Sequence, residues 1–134
     1  MLGEKIGEMS GRINSQRVLP NPGEVLKMET SFQANGSLLC ANVKETGTYW
    51  TVARPDGTLY GEGQGVMAGK DGKMATWTGH GVGVTKKDGT ASYRGAIYYQ
   101  TVPPRWSRLN KVAVLFEYEV DAEGNTHSDY WEWK

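Results

Sequence analysis

The stretch from position 58 to position 101 reads TLYGEGQGVMAGKDGKMATWTGHGVGVTKKDGTASYRGAIYYQT. Asp-Gly pairs at 56–57, 71–72 and 88–89 alternate with runs that are rich in β-branched and aromatic residues. Such a pair favours a tight hairpin, because Gly adopts a positive φ at no steric cost and Asp bonds its own nearby backbone. The pattern therefore predicts three consecutive antiparallel strands, which are Thr58–Ala68, Lys73–Thr85 and Thr90–Thr101.

Two of these strands carry glycine at every second position, at Gly61, Gly63 and Gly65 and again at Gly79, Gly81 and Gly83. Because side chains alternate along a strand, each set lies on one face of its own strand. Three-residue turns would pair Gly61 with Gly81 and Gly81 with Gly95. Interior glycines indicate either sharp sheet curvature, the favoured interpretation, or close approach of a ligand. A dinucleotide-binding loop is excluded, since that motif requires a strand, a turn and a helix.

The remaining chain adds five predicted strands: Ile6–Leu19, Val25–Ala34 ending in an Asn35-Gly36 turn, one long strand formed from Ser37–Val43 and Thr46–Ala53, then Val112–Val120 and Thr126–Trp133. The connection Val102–Lys111 is predicted to be an irregular loop. Eight strands joined mostly by short turns predict an all-β fold, a single antiparallel, mostly up-and-down eight-stranded β-barrel. The alternative is a two-sheet β-sandwich.

Composition predicts a single domain that spans positions 1–134 and can bury a core without metal or disulfides. The 15 basic and 15 acidic residues give a net charge of +0, so neither a nucleic-acid partner nor a membrane partner is expected. Cys40 is the single cysteine and is expected in the core. No apolar segment follows Met1, and with the absence of disulfides this favours a cytoplasmic location.

A group of polar side chains is predicted to converge on one face of the glycine-rich strands. The three-residue turn register places Glu62 opposite His80, with Arg94 and Tyr98 on the next strand; Tyr60 and Gln64 share this face. Such a group could bind the polar end of a ligand or transfer protons inside a partly dry cavity. The alternative is a solvated outer face that carries ordinary cross-strand pairs.

Other chemistry finds less support in the sequence. His80 and His127 are the only histidines, and although His127 is expected to face Glu117 or Glu119, the spacing of zinc ligands is missing. No metal and no cofactor are therefore expected. A Ser-His-Asp mechanism lacks its nucleophile-elbow motif.

Aromatic residues are abundant, with five Trp and seven Tyr. They predict a well-filled core and an oligomer surface, or alternatively the lining of an apolar pocket. Trp106 follows Pro104 and Arg105 in the irregular loop, and this segment is predicted to cover the mouth of the barrel as a lid, since loops often carry function.

The hairpin meander, the alternation Gly61-Glu62-Gly63-Gln64-Gly65, its counterpart in 79–83, and Arg94-Gly95 before an aromatic strand resemble the calycin-like and allene-oxide-cyclase-like small eight-stranded barrels. The likeness runs from Val25 to the end of the chain and is strongest to the short, functionally uncharacterised microbial members. It implies a barrel that is often oligomeric. The plant cyclases of the group imply cofactor-free isomerisation of a fatty-acid-derived substrate, but none of their catalytic positions matches residue by residue.

Three functions follow from these observations. The first is a barrel that binds a small apolar or amphipathic molecule, with Glu62, His80, Arg94 and Tyr98 orienting its polar end. The second is a cofactor-independent isomerase or cyclase, in which Glu62 or His80 is the general acid or base and Tyr98 a hydrogen-bond donor. The third is a structural homo-oligomer with a filled barrel. Whether the protein is an enzyme stays open at this point.

Overall fold

The computed structural model describes residues 2–21, 23, 25–100 and 103–133. Within these residues the chain forms eight strands and one 3₁₀ segment. They are β1 (Leu2–Leu19), β2 (Lys27–Leu38), β3 (Ala41–Ala53), β4 (Thr58–Gly69), β5 (Met74–Thr85), β6 (Ala91–Gln100), the 3₁₀ segment (Pro104–Lys111), β7 (Val114–Val120) and β8 (Asn125–Trp133).

Each strand pairs antiparallel with the next one along the chain, and β1 also pairs with β8. The sheet therefore closes on itself as an eight-stranded up-and-down barrel. Closure satisfies the edges that an open sheet would expose to other chains. The predicted barrel is confirmed, and the sandwich alternative is wrong.

Four hairpins repeat one geometry. Each ends in a glycine with a φ between 80° and 88°, namely Gly57, Gly72, Gly89 and Gly124. In the first of them, the amide of Gly57 donates to the carbonyl of Arg54 over 3.0 Å, and the Asp56 carboxylate accepts from the amide of Thr58. Only glycine adopts such a φ freely, so these turns follow from the local sequence alone. They confirm the register that brings Glu62 opposite His80.

The β2–β3 hairpin differs from its prediction. The turn falls at Leu39 and Cys40, which have φ of 49° and 64°, and the Asn35-Gly36 pair lies inside β2. A side chain at Gly36 would collide with the main chain of Glu8 on β1, so this glycine allows close strand approach and does not form a turn. The predicted core position of Cys40 is also wrong, because a turn residue is exposed.

The glycine face of β4 and β5 is the inner face of the barrel. Gly65 shares its orientation with Met67, and the glycines of β5 share theirs with Ala75 and Trp77, all three of which are buried. The absent side chains leave room for rings from neighbouring strands. A Cβ at Gly65 would lie 2.5 Å from Cζ2 of Trp77. The inner wall is thus made of alternating bare backbone and large aromatic side chains.

One end of the barrel is covered by the 3₁₀ segment. Trp106 and Leu109 are both 1% exposed and belong to the same buried cluster as Leu38, Val43 and Val114. These three strand residues stand at the ends of β2, β3 and β7 that face the segment. We name this the covered end. Among the residues that the structure describes, no helix is long and apolar enough to cross a membrane.

Candidate functional site

A cavity of about 70 Å³ lies inside the barrel. Its walls are the glycines of β4 and β5 together with inward aromatic and aliphatic side chains. The lining residues used below are Phe32, Glu45, Tyr49, Trp77, Tyr93, Ile97, Phe116, Tyr118, Ser128 and Tyr130. Glu62 and His80 also border the cavity, although both residues are exposed on the outer side of the wall. A water molecule needs roughly 10–15 Å³ in this measure, whereas typical pockets for small molecules hold about 300 Å³ or more. The cavity therefore admits a few waters or a molecule of a few heavy atoms.

Glu45 is the buried carboxyl group of this cavity. It stands on β3 between the inward-facing Val43 and Gly47 and is 1% exposed. The hydroxyl of Tyr130 donates a hydrogen bond of 3.3 Å to its Oε1, while Oε2 has no hydrogen-bond partner in the described part of the chain. Burial raises the Glu45 pKa to about 7, although the bond from Tyr130 acts in the opposite direction. The group can therefore exchange a proton near neutral pH.

Two further buried polar atoms lack partners among the described residues. They are Nε1 of Trp77 and the hydroxyl of Tyr99, which stand on paired positions of β5 and β6. Trp77 lies over Gly65, which pairs with Gly47, the next inward residue after Glu45. Buried polar atoms are nearly always bonded in folded proteins, so a cluster of three at one level of the barrel is a feature that needs an explanation.

Three tyrosines close the cavity toward the end opposite the covered end. The rings of Tyr49, Tyr93 and Tyr118 lie 5.7 to 6.3 Å apart between centroids. The hydroxyls of Tyr49 and Tyr118 are 3.1 Å apart and share a hydrogen bond. Burial raises the pKa of all three hydroxyls, so each stays protonated and keeps an O–H group that can donate. Tyr49 and Tyr93 are partly exposed, whereas Tyr118 is buried.

The polar group predicted from the sequence is assembled as expected, but on the outer wall. Glu62 pairs with His80, and Arg94 and Tyr98 flank Ala96, which is the partner of His80 on β6. All four side chains are exposed, as is Gln64. The interior place is excluded for these side chains, because the residues of opposite parity, such as Met67 and Trp77, are the buried ones. The solvated outer face is the arrangement observed; a ligand role for these residues stays a prediction.

Local pairs account for the contacts of this outer set. The hydroxyl of Tyr60 donates to Oε2 of Glu62 over 2.6 Å, and this bond is the main cause of the raised pKa of Tyr60. Arg94 lies 3.3 Å from Glu117 on β7. The His80 ring lies 6.0 Å from that of Tyr98. These are ordinary cross-strand and same-strand contacts at the solvent-exposed surface, and each contributes little to the free energy of folding.

Trp106 occupies the covered end, as the lid prediction placed it, and is fully buried there. The 3₁₀ segment is tied down on both sides of it. Arg105 binds Asp71 of the β4–β5 hairpin over 2.7 Å, and Nε of Arg108 donates to Glu132 over 2.9 Å. Trp106 does not line the cavity. It therefore acts here as a structural plug, and its contact with a ligand stays a prediction.

His127 faces Glu119 in the β7–β8 register, as expected, but its polar contacts lie on the other side. Donor atoms of Glu8, His127 and Asp129 stand within 4.8 Å of one another on the outer wall. The ammonium group of Lys5 lies 3.0 Å from Glu8 and 2.9 Å from Asp129. The chain itself thus supplies a cation to these carboxylates, and we assign no metal to this cluster.

The sequence prediction missed Glu45 and the tyrosines above it. A signal was present: Val43, Glu45, Gly47 and Tyr49 alternate with Lys44, Thr46 and Thr48. An acid that shares its parity with Val and Tyr, and whose neighbour is Lys, is a candidate for a buried carboxyl group. The incorrect turn at Asn35-Gly36 obscured where β3 begins, and with it this alternation.

Comparison with known proteins supports the fold. No protein-family model and no curated protein sequence matches the chain. Three solved structures superpose with a TM-score of 0.83. A protein of unknown function from Clostridium acetobutylicum is 13% identical over 98% of both chains. A conserved protein of unknown function from Rhodopseudomonas palustris is 11% identical over 98% of this chain and 97% of its own. A β-barrel-like protein from Acinetobacter baumannii is 11% identical over 100% of this chain and 96% of its own.

At these identities the likeness shows a shared β-barrel fold and nothing finer. The eight-stranded barrel implied by the resemblance is therefore confirmed. Membership of the calycin or allene-oxide-cyclase group stays a prediction. The cytoplasmic location and the association of copies into an oligomer also stay predictions.

Proposed function

We propose that this protein is a binding barrel for a small amphipathic molecule, and that the ligand occupies the interior cavity. The observation that carries the proposal is the buried Glu45, whose Oε2 has no partner among the described residues although it lines an otherwise aromatic cavity. A buried carboxyl oxygen without a hydrogen bond costs free energy, and a ligand that bonds it regains that cost.

The size of the cavity limits the ligand. About 70 Å³ is well below the volume of a typical drug-sized pocket, so a long fatty acid does not fit this arrangement of side chains. Phe32, Ile97 and Phe116 supply apolar contact area for a short aliphatic or small cyclic body. Tyr49 and Tyr93 are the partly exposed members of the tyrosine closure, and rotation of Tyr93 would admit a ligand or enlarge the site.

The proposal is tested with a filled variant. Ser128 is 6% exposed and lines the cavity, so Ser128→Leu places three additional carbon atoms in it. Native mass spectrometry of gently purified wild-type protein should show excess mass that leaves on denaturation, and Ser128→Leu should lose that mass. Ser92→Leu, on the outer wall of β6, is the matched control and should retain it. Excess mass retained by Ser128→Leu, or a wild type without added mass that also fails to take up xenon, contradicts interior binding.

A second function is favoured by one observation, which is the Glu45 pKa of about 7 inside the cavity. A carboxylate poised near neutral pH suits a general base. In a cofactor-independent isomerase it would remove a proton from carbon next to a carbonyl group, with the resulting enolate oxygen accepting a hydrogen bond from Nε1 of Trp77. Exchange of the α-protons of butanone for deuterium in D₂O measures this step. Exchange that is faster with wild type than with Glu45→Gln supports catalysis, and equal rates exclude it.

A further inference from the structure

The three buried atoms that lack hydrogen-bond partners within the described part of the chain differ in what they require. Nε1 of Trp77 can only donate a hydrogen bond, and Oε2 of an ionised Glu45 can only accept one. The hydroxyl of Tyr99 can do either. Trp77 and Glu45 both line the cavity, whereas Tyr99, the partner of Trp77 on β6, does not. A group that occupies the cavity beside them must therefore offer an acceptor and a donor together.

The Trp77 donor and the Glu45 acceptor lie at one level of the barrel. The Trp77 ring crosses Gly65 and reaches Gly47, where a Cβ would stand 2.9 Å from its Cζ2. Glu45 is the next inward residue along β3. The opposite side of the carboxyl group is occupied by Tyr130, which bonds Oε1 and leaves Oε2 for another partner. The remaining cavity walls are mostly aromatic rings, Ile97, Ser128 and bare glycine backbone, which offer mainly apolar contact.

Resting on the proposed function, we propose that the cavity selects a ligand whose polar end is a single neutral group with both a donor and an acceptor, such as a hydroxyl or a primary amide. The acceptor atom of this group takes the hydrogen bond from Nε1 of Trp77, and its O–H or N–H donates to Oε2 of Glu45. The alkyl part of the ligand lies against Phe32, Ile97 and Phe116.

Charged head groups fit these atoms less well. A carboxylate would satisfy Trp77, but it would place a second negative group beside Glu45 in an apolar site, where like charges repel strongly. A primary ammonium would pair with Glu45, but it carries only donors and would leave Nε1 of Trp77 without a partner. The outer-wall Arg94 does not help an anion, because its side chain is exposed to solvent on the other face of β6.

The test uses four probes with a short alkyl chain and different head groups: butan-1-ol, butanamide, butanoate and n-butylammonium. Xenon is the fifth probe and reports the apolar cavity alone. Each is titrated near neutral pH into ¹⁵N-labelled protein. The indole N–H resonance of Trp77, assigned with Trp77→Phe, and the amides of Gly63 and Gly79 are followed. The expected result is that butanol and butanamide saturate the shift of the indole resonance and bind about tenfold more tightly than either ion.

Two variants assign the contacts. Trp77→Phe keeps a ring over Gly65 and removes the donor, so the affinity for butanamide, read from the glycine amides, should fall about fivefold, the effect of one ordinary hydrogen bond. Glu45→Gln keeps the shape of the side chain and one acceptor oxygen. It should keep the affinity for butanol and raise the affinity for butanoate. Gln64→Glu on the outer wall is a control that changes charge without touching the cavity and should change no affinity.

The outcomes separate this inference from the proposed function. Tightest binding by n-butylammonium or by butanoate overturns the neutral head group and leaves interior binding intact. If xenon shifts the amide resonances of Gly63 and Gly79 and none of the four alkyl probes does, the neutral head group is likewise overturned and interior binding is left intact. Absence of any response, to xenon as well, overturns interior binding and this inference with it.

Discussion

The hydroxyl of Tyr130 lies 3.3 Å from Oε1 of Glu45 and donates a hydrogen bond to it across the interior of the barrel. The bond favours the ionised carboxyl group, yet desolvation is the larger effect, so the Glu45 pKa is raised to about 7. Desolvation, with the nearby Glu45 charge, raises the Tyr130 pKa well above its usual value. Tyr130 thus remains the donor, and Glu45 is the member of the pair that titrates near neutral pH.

This pair predicts how stability depends on pH. The folded-state pKa of Glu45, about 7, lies above the ordinary value of 4.5 for a glutamate. The stabilisation from its protonated form is complete below about pH 4.5 and is lost as the pH rises through about 7, because the unfolded chain ionises first. The free energy of unfolding should therefore fall by about 3 kcal/mol across this range through Glu45 alone. Glu45→Gln should remove this fall, as measured by urea unfolding at about pH 5 and about pH 8.

Glu123→Gln is the matched control for that experiment, since Glu123 is exposed in the β7–β8 turn. It should change the pH dependence little. A wild-type protein whose Glu45-dependent stability rises between these two pH values contradicts the raised pKa.

A second prediction concerns the space that Gly47 leaves for aromatic rings. A Cβ at this position would lie 2.8 Å from Cε1 of Phe32 and 2.9 Å from Cζ2 of Trp77. Gly47→Ala should therefore destabilise the barrel by about 1–3 kcal/mol, the usual effect of overpacking a core. In a double-mutant cycle the cost should be smaller in the Phe32→Leu background, where the clashing ring atoms are absent. Equal costs in both backgrounds would show that the rings do not set the requirement for glycine.

Local sequence determined the hairpins and their register. The Asp-Gly turns at Gly57, Gly72 and Gly89 depend on residues within four positions of one another, and the period of two then fixes which residues oppose each other. For this reason the pairing of Glu62 with His80 could be derived without a structure. The Leu39-Cys40 turn could not, because neither residue favours positive φ and it is the close approach of β1 to Gly36 that excludes a turn there.

Which face becomes the interior depends on the whole barrel. The glycine face has few side chains on β4, so hydrophobicity on that strand alone does not identify it as buried. Its burial comes from rings on neighbouring strands, chiefly Trp77, Tyr49 and Phe116, which fill the space over the glycines. Met67 and Ala75 lie on the same face as the glycines and are 0% exposed. These two apolar residues were the sequence feature that indicated a buried glycine face. The candidate site depended on the same knowledge. Glu45 could be placed inside the barrel only after the inner face of the sheet had been identified.

A third prediction compares the two arginines that hold the 3₁₀ segment. Arg108 binds Glu132, whose side chain is 7% exposed, whereas Arg105 binds Asp71, whose side chain is 42% exposed. Removing one ionic partner of a buried carboxylate weakens the compensation of a poorly solvated charge, while an exposed pair contributes little. Arg108→Met should therefore lower the Tm more than Arg105→Met, measured by differential scanning calorimetry.

Glu132→Gln supplies the check on this comparison. It removes the buried charge, so Arg108→Met should cost less in that background than in wild type. A larger loss from Arg105→Met than from Arg108→Met would instead assign the stability of the covered end to the stacking of Arg105 on Trp106, whose ring lies 4.2 Å away.

The outer polar set gives the last prediction. Glu62 and His80 are exposed, and Glu62→Gln retains an acceptor for the Tyr60 hydroxyl. Both Glu62→Gln and His80→Ala should change the free energy of unfolding by less than about 0.5 kcal/mol, as is usual for surface positions. Ile97→Ala, a cavity-lining core deletion, is the contrasting variant and should cost about 2–5 kcal/mol. Affinity for the probe that binds the wild type best should be unchanged in both outer variants, since both side chains are exposed on the outer wall. An affinity that falls in His80→Ala or Glu62→Gln while Ser128→Leu binds normally would move the site from the interior to the outer wall.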